Sequence, residues 1–491
     1  MFKKLVLISV FVFLVCGLVY SEEVCIVERS DIISRIENRN FPSVFGAWDF
    51  TLINHDRPED IWGDWEYIKK MQSHNDLYWS GIFRGLQWRF ESGVSQIVSI
   101  GSTDYDLQLK SQILDLNPNF LFIASLYVYG SHLEAYPEDW EYWLRDENNE
   151  LIQDGGWPEY LIDYTLPGAI DHFVERATAI ANCGLHDGIF MDWWDESSEF
   201  DGWLADRYHG SKVDALVELV RRIREAVGDD FLIIVNTGTR KVPRSAPYVN
   251  GAFMEAIGTV DGYPRERLLE IENALRWYEN NFRYPQVNCL EGWAITKEPM
   301  DSPRNQQQAR AVITLGLTHS NGYVSYVPGI GSPDHEHFYE MWEGHSDEHE
   351  SGVPHGHTHQ KYWCDFYNVD LGQPIGEKSQ NYNGIDGLFI REFARGWVVY
   401  NRSGSEQEIR FESHVDGKSS GFGGTKHIIP DLDGEIYLKD NRLDINADGD
   451  VNILDLVLTA NSLGEPGGQA DVNADGVVNI LDLVLIANAF N

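Results

Sequence analysis

Two stretches near the C-terminus carry oxygen donors at a spacing that wraps a hard cation. Asp444-Ile-Asn446-Ala-Asp448-Gly449-Asp450-Val-Asn452-Ile-Leu-Asp455 recurs 27 residues later as Asp471-Val-Asn473-Ala-Asp475-Gly476-Val477-Val-Asn479-Ile-Leu-Asp482. Side-chain oxygens fall at loop positions 1, 3, 5 and 12, with Gly at position 6 for the sharp turn. Position 7, Asp450 or Val477, can add a backbone carbonyl. Ca²⁺ takes about six to eight oxygens, and this order of donors folds them around one ion. The candidate ligands are therefore Asp444, Asn446, Asp448, Asp450 and Asp455 in one loop. Asp471, Asn473, Asp475, Val477 and Asp482 serve the other, for two calcium ions. A merely solvated acidic turn would not need the pattern twice in register.

A second set of acids ends apolar runs. Gly188-Ile-Phe-Met191 leads into Asp192-Trp193-Trp194-Asp195-Glu196, and Gly251-Ala-Phe-Met254 leads into Glu255. Asp49 follows Ala47-Trp48, Asn236 ends Phe231–Val235, and Glu291 sits within Asn288–Trp293. A carboxylate is expensive to bury without a partner, so acids that close buried strands need a reason. Two acids facing each other can cleave a glycosidic bond: one protonates the leaving oxygen, the other attacks carbon or activates water. Asp192 is expected as nucleophile or base and Glu255 as acid. Asp49, Trp193, Trp194, Asp195, Asn236 and Glu291 are expected to contact substrate, with Glu196 in reserve.

These residues need a frame that brings strand ends together. Apolar runs at 43–52, 120–128, 186–194, 231–237, 251–257, 285–293 and 322–327 alternate with helical patterns such as 171–181, 212–227, 265–281 and 303–319. Strand–helix repeats over this length predict an α/β fold, a (β/α)₈ TIM-type barrel over 40–375. Its second strand is either 79–86 or 96–101. In such a barrel the chemistry lies at the C-terminal strand ends, where the acids above fall. No Gly-rich phosphate loop follows a strand, which argues against an open dinucleotide-binding sheet. Residues 376–440 read as short strands parted by Asn-Gly, Ser-Gly and Asp-Gly turns, a small antiparallel sheet or β-sandwich-like domain. Residues 442–491 read as an all-α calcium module.

Loop–helix, linker, loop–helix over 442–491 resembles a type I dockerin domain. That resemblance implies bound calcium and attachment to a cohesin-like scaffold protein. Dockerins often carry Ser or Thr at loop positions 10 and 11; here Ile453, Leu454, Ile480 and Leu481 stand there. Gly188–Asp192, Asn236-Thr-Gly238 and Phe253–Glu255, with Gly387–Asn401 beyond them, resemble glycoside hydrolases related to the endo-α-1,4-polygalactosaminidase group. The resemblance implies hydrolysis of a polysaccharide by Asp192 and Glu255, with no cofactor in the chemistry. A non-catalytic carbohydrate-binding or scaffold-linked surface protein is the alternative.

The rest of the sequence fits an exported protein. Lys3-Lys4 precede an apolar run to Val19, and small residues before position 22 predict a signal peptide over 1–21, leaving no membrane span after cleavage. A net charge of −39 repels nucleic acid and anionic lipid. Four cysteines remain after cleavage, Cys25, Cys183, Cys289 and Cys364, enough for two disulfides. Seven of the 16 histidines crowd residues 335–359 among acids. They match no metal-ligand spacing on a helix and read first as a polar loop, with a transition-metal site as the other possibility.

Overall fold

The computed structural model describes residues 31–55, 64–79, 86–89, 96–99, 103–131, 133, 136–153, 159–259, 261–328, 360–439, 441–446 and 451–488. The signal segment 1–21, Cys25, the His-rich stretch 335–359 and the ligands Asp448 and Asp450 lie outside the described residues.

Eight parallel strands form one sheet: β1 (Phe45–Ala47), β2 (Leu77–Trp79), β3 (Leu121–Ser125), β4 (Gly188–Met191), β5 (Leu232–Asn236), β6 (Gly251–Ala256), β7 (Cys289–Trp293) and β8 (Tyr323–Val327). Each pairs with its neighbour in chain order, and a parallel bridge from Val44 to Val324 brings the last strand back to the first. The second strand is Leu77–Trp79. It touches the 79–86 alternative only at Trp79, because Leu86–Arg89 and Gln96–Ser99 pair with each other as an antiparallel ribbon outside the sheet. The helices expected between strands are found at Pro167–Cys183, Lys212–Val227, Arg265–Asn281 and Pro303–His319. Turns alone join β5 to β6, so the strict strand–helix alternation lapses there.

Alternation along each strand sorts the barrel interior from its outer layer. Phe45, Ala47, Leu77, Trp79, Leu121, Ile123, Phe190, Leu232, Ile234, Phe253, Cys289 and Tyr323 form one buried inner cluster. The short helix Ile32–Glu37 plugs the lower end with Ile32 and Ile36. Its Arg35 reaches Asp187, just before β4: Nη1 donates to Oδ2 at 2.9 Å and Nη2 to Oδ1 at 2.5 Å. The backbone N–H of Phe122 also donates to Asp187 Oδ2, at 2.8 Å. This acid is structural, and its cation comes from the plug.

The segment expected as a small antiparallel sheet or sandwich is a single antiparallel sheet. β9 (Leu388–Phe393), β10 (Gly396–Asn401), β11 (Gln407–Gly417), β12 (Gly423–Ile429) and β13 (Asp433–Lys439) lie in the order β9-β10-β13-β11-β12. Its second layer is the barrel's own helix Pro303–His319, whose Ala309, Ile313 and Leu317 share a core with Phe393, Val398 and Ile436. The helix can face barrel and sheet at once because its C-terminal half, from Ala311 to His319, is buried on every side. Arg310 clamps Asp433 with bonds of 2.9 and 2.8 Å, and Arg402 holds buried Glu272. Cys183, Cys289 and Cys364 are buried thiols that form no disulfide with one another. The three sit in different parts of the core.

Residues 442–491 contribute two nine-residue helices, Ile453–Asn461 and Ile480–Asn488, each following its loop.

Candidate active site

The barrel interior has an aromatic floor. Trp79 stacks on Phe190 at 4.6 Å and meets Phe253 edge-on at 4.9 Å. Trp48, at the end of β1, stands edge-on to Trp79, Phe190 and Phe253. Its φ of 51° lies in the left-handed region, rare for a large side chain and typical of sites that spend strain on placement.

One step up each of five successive strands, β4 to β8, the inward residue turns polar. Phe190 is followed two positions on by Asp192, Ile234 by Asn236, Phe253 by Glu255, Cys289 by Glu291, and Tyr323 by Ser325. Two residues per pleat keep all of these on the inner face. Register makes them one layer: Glu255 pairs with Glu291, and Glu291 with Ser325.

Asn236 joins the two candidate catalytic acids. Its Nδ2 donates to Asp192 Oδ1 at 2.8 Å and to Glu255 Oε2 at 3.1 Å. The N–H of Gly238 donates to Asn236 Oδ1 at 3.0 Å, which fixes the amide with its nitrogen toward the carboxylates. The φ of 55° at Gly238 is what turns that N–H back. The backbone N–H of Trp193 donates to Asp192 Oδ1 at 2.9 Å. Asp192, Asn236 and Glu255 are all half-buried, open to a ligand yet held.

Glu291 is buried and accepts from Trp293 Nε1 at 3.1 Å. Asp49 is buried too; its Oδ1 accepts from the N–H and hydroxyl of Thr51 at 2.7 and 2.8 Å, closing the turn after β1. Trp193 is half-exposed, and its φ of 56° swings the ring out beside Asp192. It stacks on Tyr129 at 5.2 Å, and Tyr129 stacks on exposed Trp203 at 6.1 Å.

Two expected contacts, Trp194 and Asp195, and the reserve acid Glu196 are placed elsewhere. Trp194 is only 1 % exposed and donates from Nε1 to Ser245 at 2.9 Å, so it offers no face to a ligand. Asp195 pairs with Arg240 at 2.9 Å and accepts from the N–H of Ser197, which commits it to the loop. Glu196 receives the N–H groups of Arg244 and Ser245. After Asp192 the chain leaves the mouth, and these side chains tie the departing loop down.

Three participants come into view only in the structure. Tyr127, just past β3, takes a hydrogen bond from Trp48 Nε1 at 2.5 Å. Burial, then the nearby charge of Asp192, push its phenol above the usual range, so it stays a proton donor. The signal for it was its place at the end of an apolar run, like the acids. Trp203, in the loop after β4, has no such mark. Lys361 is fully buried; burial brings its ammonium down to about 8, while the charges of Asp49 and Glu291 act to raise it.

In the calcium module the two copies match bond for bond. Asp455 accepts from Asn446 and Asn452 N–H at 3.0 and 2.8 Å; Asp482 accepts from Asn473 and Asn479 N–H at 3.0 and 2.7 Å. Both position-12 carboxylates are fully buried at the start of their helices. Gly476, with φ of 98°, makes the turn that a Cβ would oppose. The N–H of Val477 holds the Asp475 carboxyl below the usual range. Among the described residues no three His, Cys, Asp or Glu side chains already form an ion cage, since the loop carboxylates accept from the loop's own N–H groups. The donors are all oxygen, from carboxyl, amide and backbone carbonyl groups, which suits a hard cation.

Residues 442–491 match the Dockerin type I domain model. No curated protein matches the chain. Among solved structures it is similar to a noncanonic maltogenic α-amylase from Thermotoga neapolitana, at 11 % identity, TM-score 0.45, over 82 % of this chain and 98 % of that one. It is also similar to a pullulanase from Anoxybacillus sp. LM18-11 at 11 % identity, TM-score 0.47, over 85 % of this chain and 72 % of that one. Likenesses of this size say nothing of the reaction, which has to be argued from the site. No helix among the described residues is long and apolar enough to cross a membrane. The C-terminal 50 residues are thus a Dockerin type I domain of the calcium-binding kind, joined to an eight-stranded parallel barrel with an acidic mouth.

Proposed function

We propose that this chain is a glycoside hydrolase that acts on a polysaccharide outside the cell while held to a scaffold by its C-terminal module. The supporting observation is the amide of Asn236, which donates to Asp192 and Glu255 at once. Two carboxyl groups that share one donor nitrogen have their nearest oxygens closer than the two bonds laid end to end. Retaining glycosidases place their carboxyls about 5–5.5 Å apart and inverting ones about 6.5–9.5 Å, to admit a water. The shared donor favours the shorter spacing. On this reading Asp192 is the nucleophile, forming a glycosyl ester, and Glu255 first protonates the leaving oxygen and then deprotonates water. Asn236 aligns both. Tyr127 is a neutral donor beside the nucleophile, and exposed Trp193 offers a flat face to a pyranose.

In the module, each loop would hold one calcium ion through the ten ligands named from the sequence. The ion supplies folding energy there and takes no part in hydrolysis. The partner expected of such a domain is a cohesin-like scaffold protein. The test is product release from a broad polysaccharide panel by wild type, Asp192→Asn and Glu255→Gln. Cleavage of one polymer by wild type, with both variants folded and slower by several orders of magnitude, is the expected result. Retention on a polymer without any product would instead make the barrel a binding module.

A further inference from the structure

Lys212 opens the helix Lys212–Val227, and its side chain is fully buried. The ammonium lies over three aromatic rings, 4.6 Å from the centre of Phe200, 4.8 Å from Trp203 and 5.0 Å from Tyr208. The same nitrogen donates to the backbone carbonyl of Trp203. Asp201 supplies the nearby negative charge. A buried ammonium is costly, and an apolar side chain would fill an aromatic cage at lower cost. What the cation adds is direction. It holds Trp203 by its carbonyl and its ring at once, which no apolar side chain does. Trp203 needs that hold. It caps the five-residue helix Ser198–Gly202, it precedes Leu204 in the left-handed region at φ of 53°, and it is 42 % exposed.

Stacking passes the hold on. Trp203 lies nearly parallel to Tyr129, at 6.1 Å and 19°, and Tyr129 nearly parallel to Trp193, at 5.2 Å and 14°. Offset stacks of this kind fix ring planes relative to one another. Tyr129 is buried, so the middle ring of the three has little room to turn. Trp193 at the far end is half-exposed, and its backbone N–H donates to Asp192. The line Lys212, Trp203, Tyr129, Trp193 therefore runs from a buried cation to the neighbour of the candidate nucleophile. We infer that Lys212 is a positioning residue for carbohydrate binding, one that sets the plane of Trp193 through the two rings between them. That role rests on the reading of Trp193 as a sugar platform in the proposed hydrolase. Lys212 is shut away from ligand and reacting atoms, so its loss weakens binding of ground state and transition state alike and falls on KM.

The test compares the full chain with Lys212→Met, Lys212→Arg, Trp193→Ala and the double variant Lys212→Met, Trp193→Ala, on the polysaccharide that wild type cleaves in the panel above. Lys212→Met should raise KM about 3- to 10-fold with kcat within about twofold, and Lys212→Arg, which keeps a cation over the rings, should recover most of the loss. In the Trp193→Ala background Lys212→Met should add less than about twofold, because both changes act on one platform. A second measurement needs no substrate: ¹⁹F NMR of the chain labelled with 5-fluorotryptophan, its resonances assigned by Trp193→Phe and Trp203→Phe. Lys212→Met should shift or broaden the Trp203 and Trp193 signals, and Lys212→Arg should bring them back. A Trp193 signal that Lys212→Met leaves in place overturns the inference and spares the functional reading. So does an equal loss with and without Trp193, or a fall in kcat at constant KM; Lys212 is then structural only. If wild type neither cleaves nor is retained by any polymer, the functional reading falls and the role of Lys212 falls with it.

Discussion

Replacing Asn236 tests the site more sharply than removing either acid. Its amide makes two hydrogen bonds to carboxylates, at 2.8 and 3.1 Å. Hydrogen bonds to charged groups contribute about 1.5–3 kcal/mol each. The two share one nitrogen and do not add fully, so Asn236→Ala should cost about 2–4 kcal/mol of alignment. At about 1.4 kcal/mol per factor of ten, that is a fall of roughly 30- to 1,000-fold in kcat. Asn236→Asp keeps the shape but sets a third carboxylate within hydrogen-bonding distance of both others. Two charges about 3 Å apart at an effective dielectric of about 20 repel by roughly 5 kcal/mol. The Asp variant should therefore be slower than the Ala variant near neutral pH. It should regain activity as the pH falls, because protonating the introduced carboxyl restores a donor. The assay is reducing-end release from the polymer that wild type cleaves, with kcat and KM separated and melting temperature followed. An Ala variant within about threefold of wild type would refute the shared-donor argument. So would an Asp variant that matches Ala at every pH.

Four other outcomes follow from the same structure. Arg35→Met strands buried Asp187 at the base of the barrel and should cost about 3–5 kcal/mol of stability, read as a lower melting temperature; adding Asp187→Asn should recover part of it. His319 is fully buried against Phe389, and burial lowers its imidazole to about 3 from an ordinary 6.5. The unfolded chain then binds the extra proton between these values, so this stability is whole above 6.5 and falls by about 1.4 kcal/mol per pH unit below it. His319→Leu should flatten denaturation against pH by about one proton between pH 6 and 4, while buried His186, at about 4, keeps some slope. Asp455→Ala or Asp482→Ala should each abolish one calcium equivalent by titration calorimetry, since each removes the buried position-12 carboxylate of its loop; two equivalents in both variants would contradict the assignment. Trp193→Ala should raise KM on long substrates about 5- to 30-fold, the scale of burying one aromatic face at roughly 1–2 kcal/mol, with kcat little changed.

How much was legible in the sequence varied with what produces each feature. Seven barrel strands and the helices 212–227, 265–281 and 303–319 could be read because burial writes long apolar runs and clean 3.6-residue periods. The second strand could not, since Leu77–Trp79 is three residues long and the ribbon at 86–99 gives a stronger strand pattern. The strands before residue 440 were legible, but the choice between sheet and sandwich was not, because a sheet with one apolar face does not say whether a sheet or a helix covers it. Asp192, Asn236 and Glu255 were legible as polar residues ending buried strands. Trp194 and Asp195 were misjudged because residue type next to Asp192 does not give side-chain direction once the strand has ended. Tyr127 escaped notice because a tyrosine closing an apolar run reads as core.

The same rule separates structural acids from functional ones on a single strand. Asp187 and Asp192 flank β4, one at each end. At the lower end the plug helix supplies a guanidinium that engages both oxygens of Asp187, and the backbone adds a third bond. That arrangement satisfies the charge completely and leaves nothing to offer a ligand. At the upper end the floor of Trp79, Phe190 and Phe253 excludes water from below, so Asp192 is solvated from one side only. The Trp193 N–H and the Asn236 amide both reach it there and orient its Oδ1. A carboxylate so oriented suits a transition state that is itself positive, as the oxocarbenium-like state of the proposed glycoside cleavage is. The left-handed backbone at Trp48 and Trp193, φ of 51° and 56°, turns the chain at the ends of β1 and β4, just above that floor.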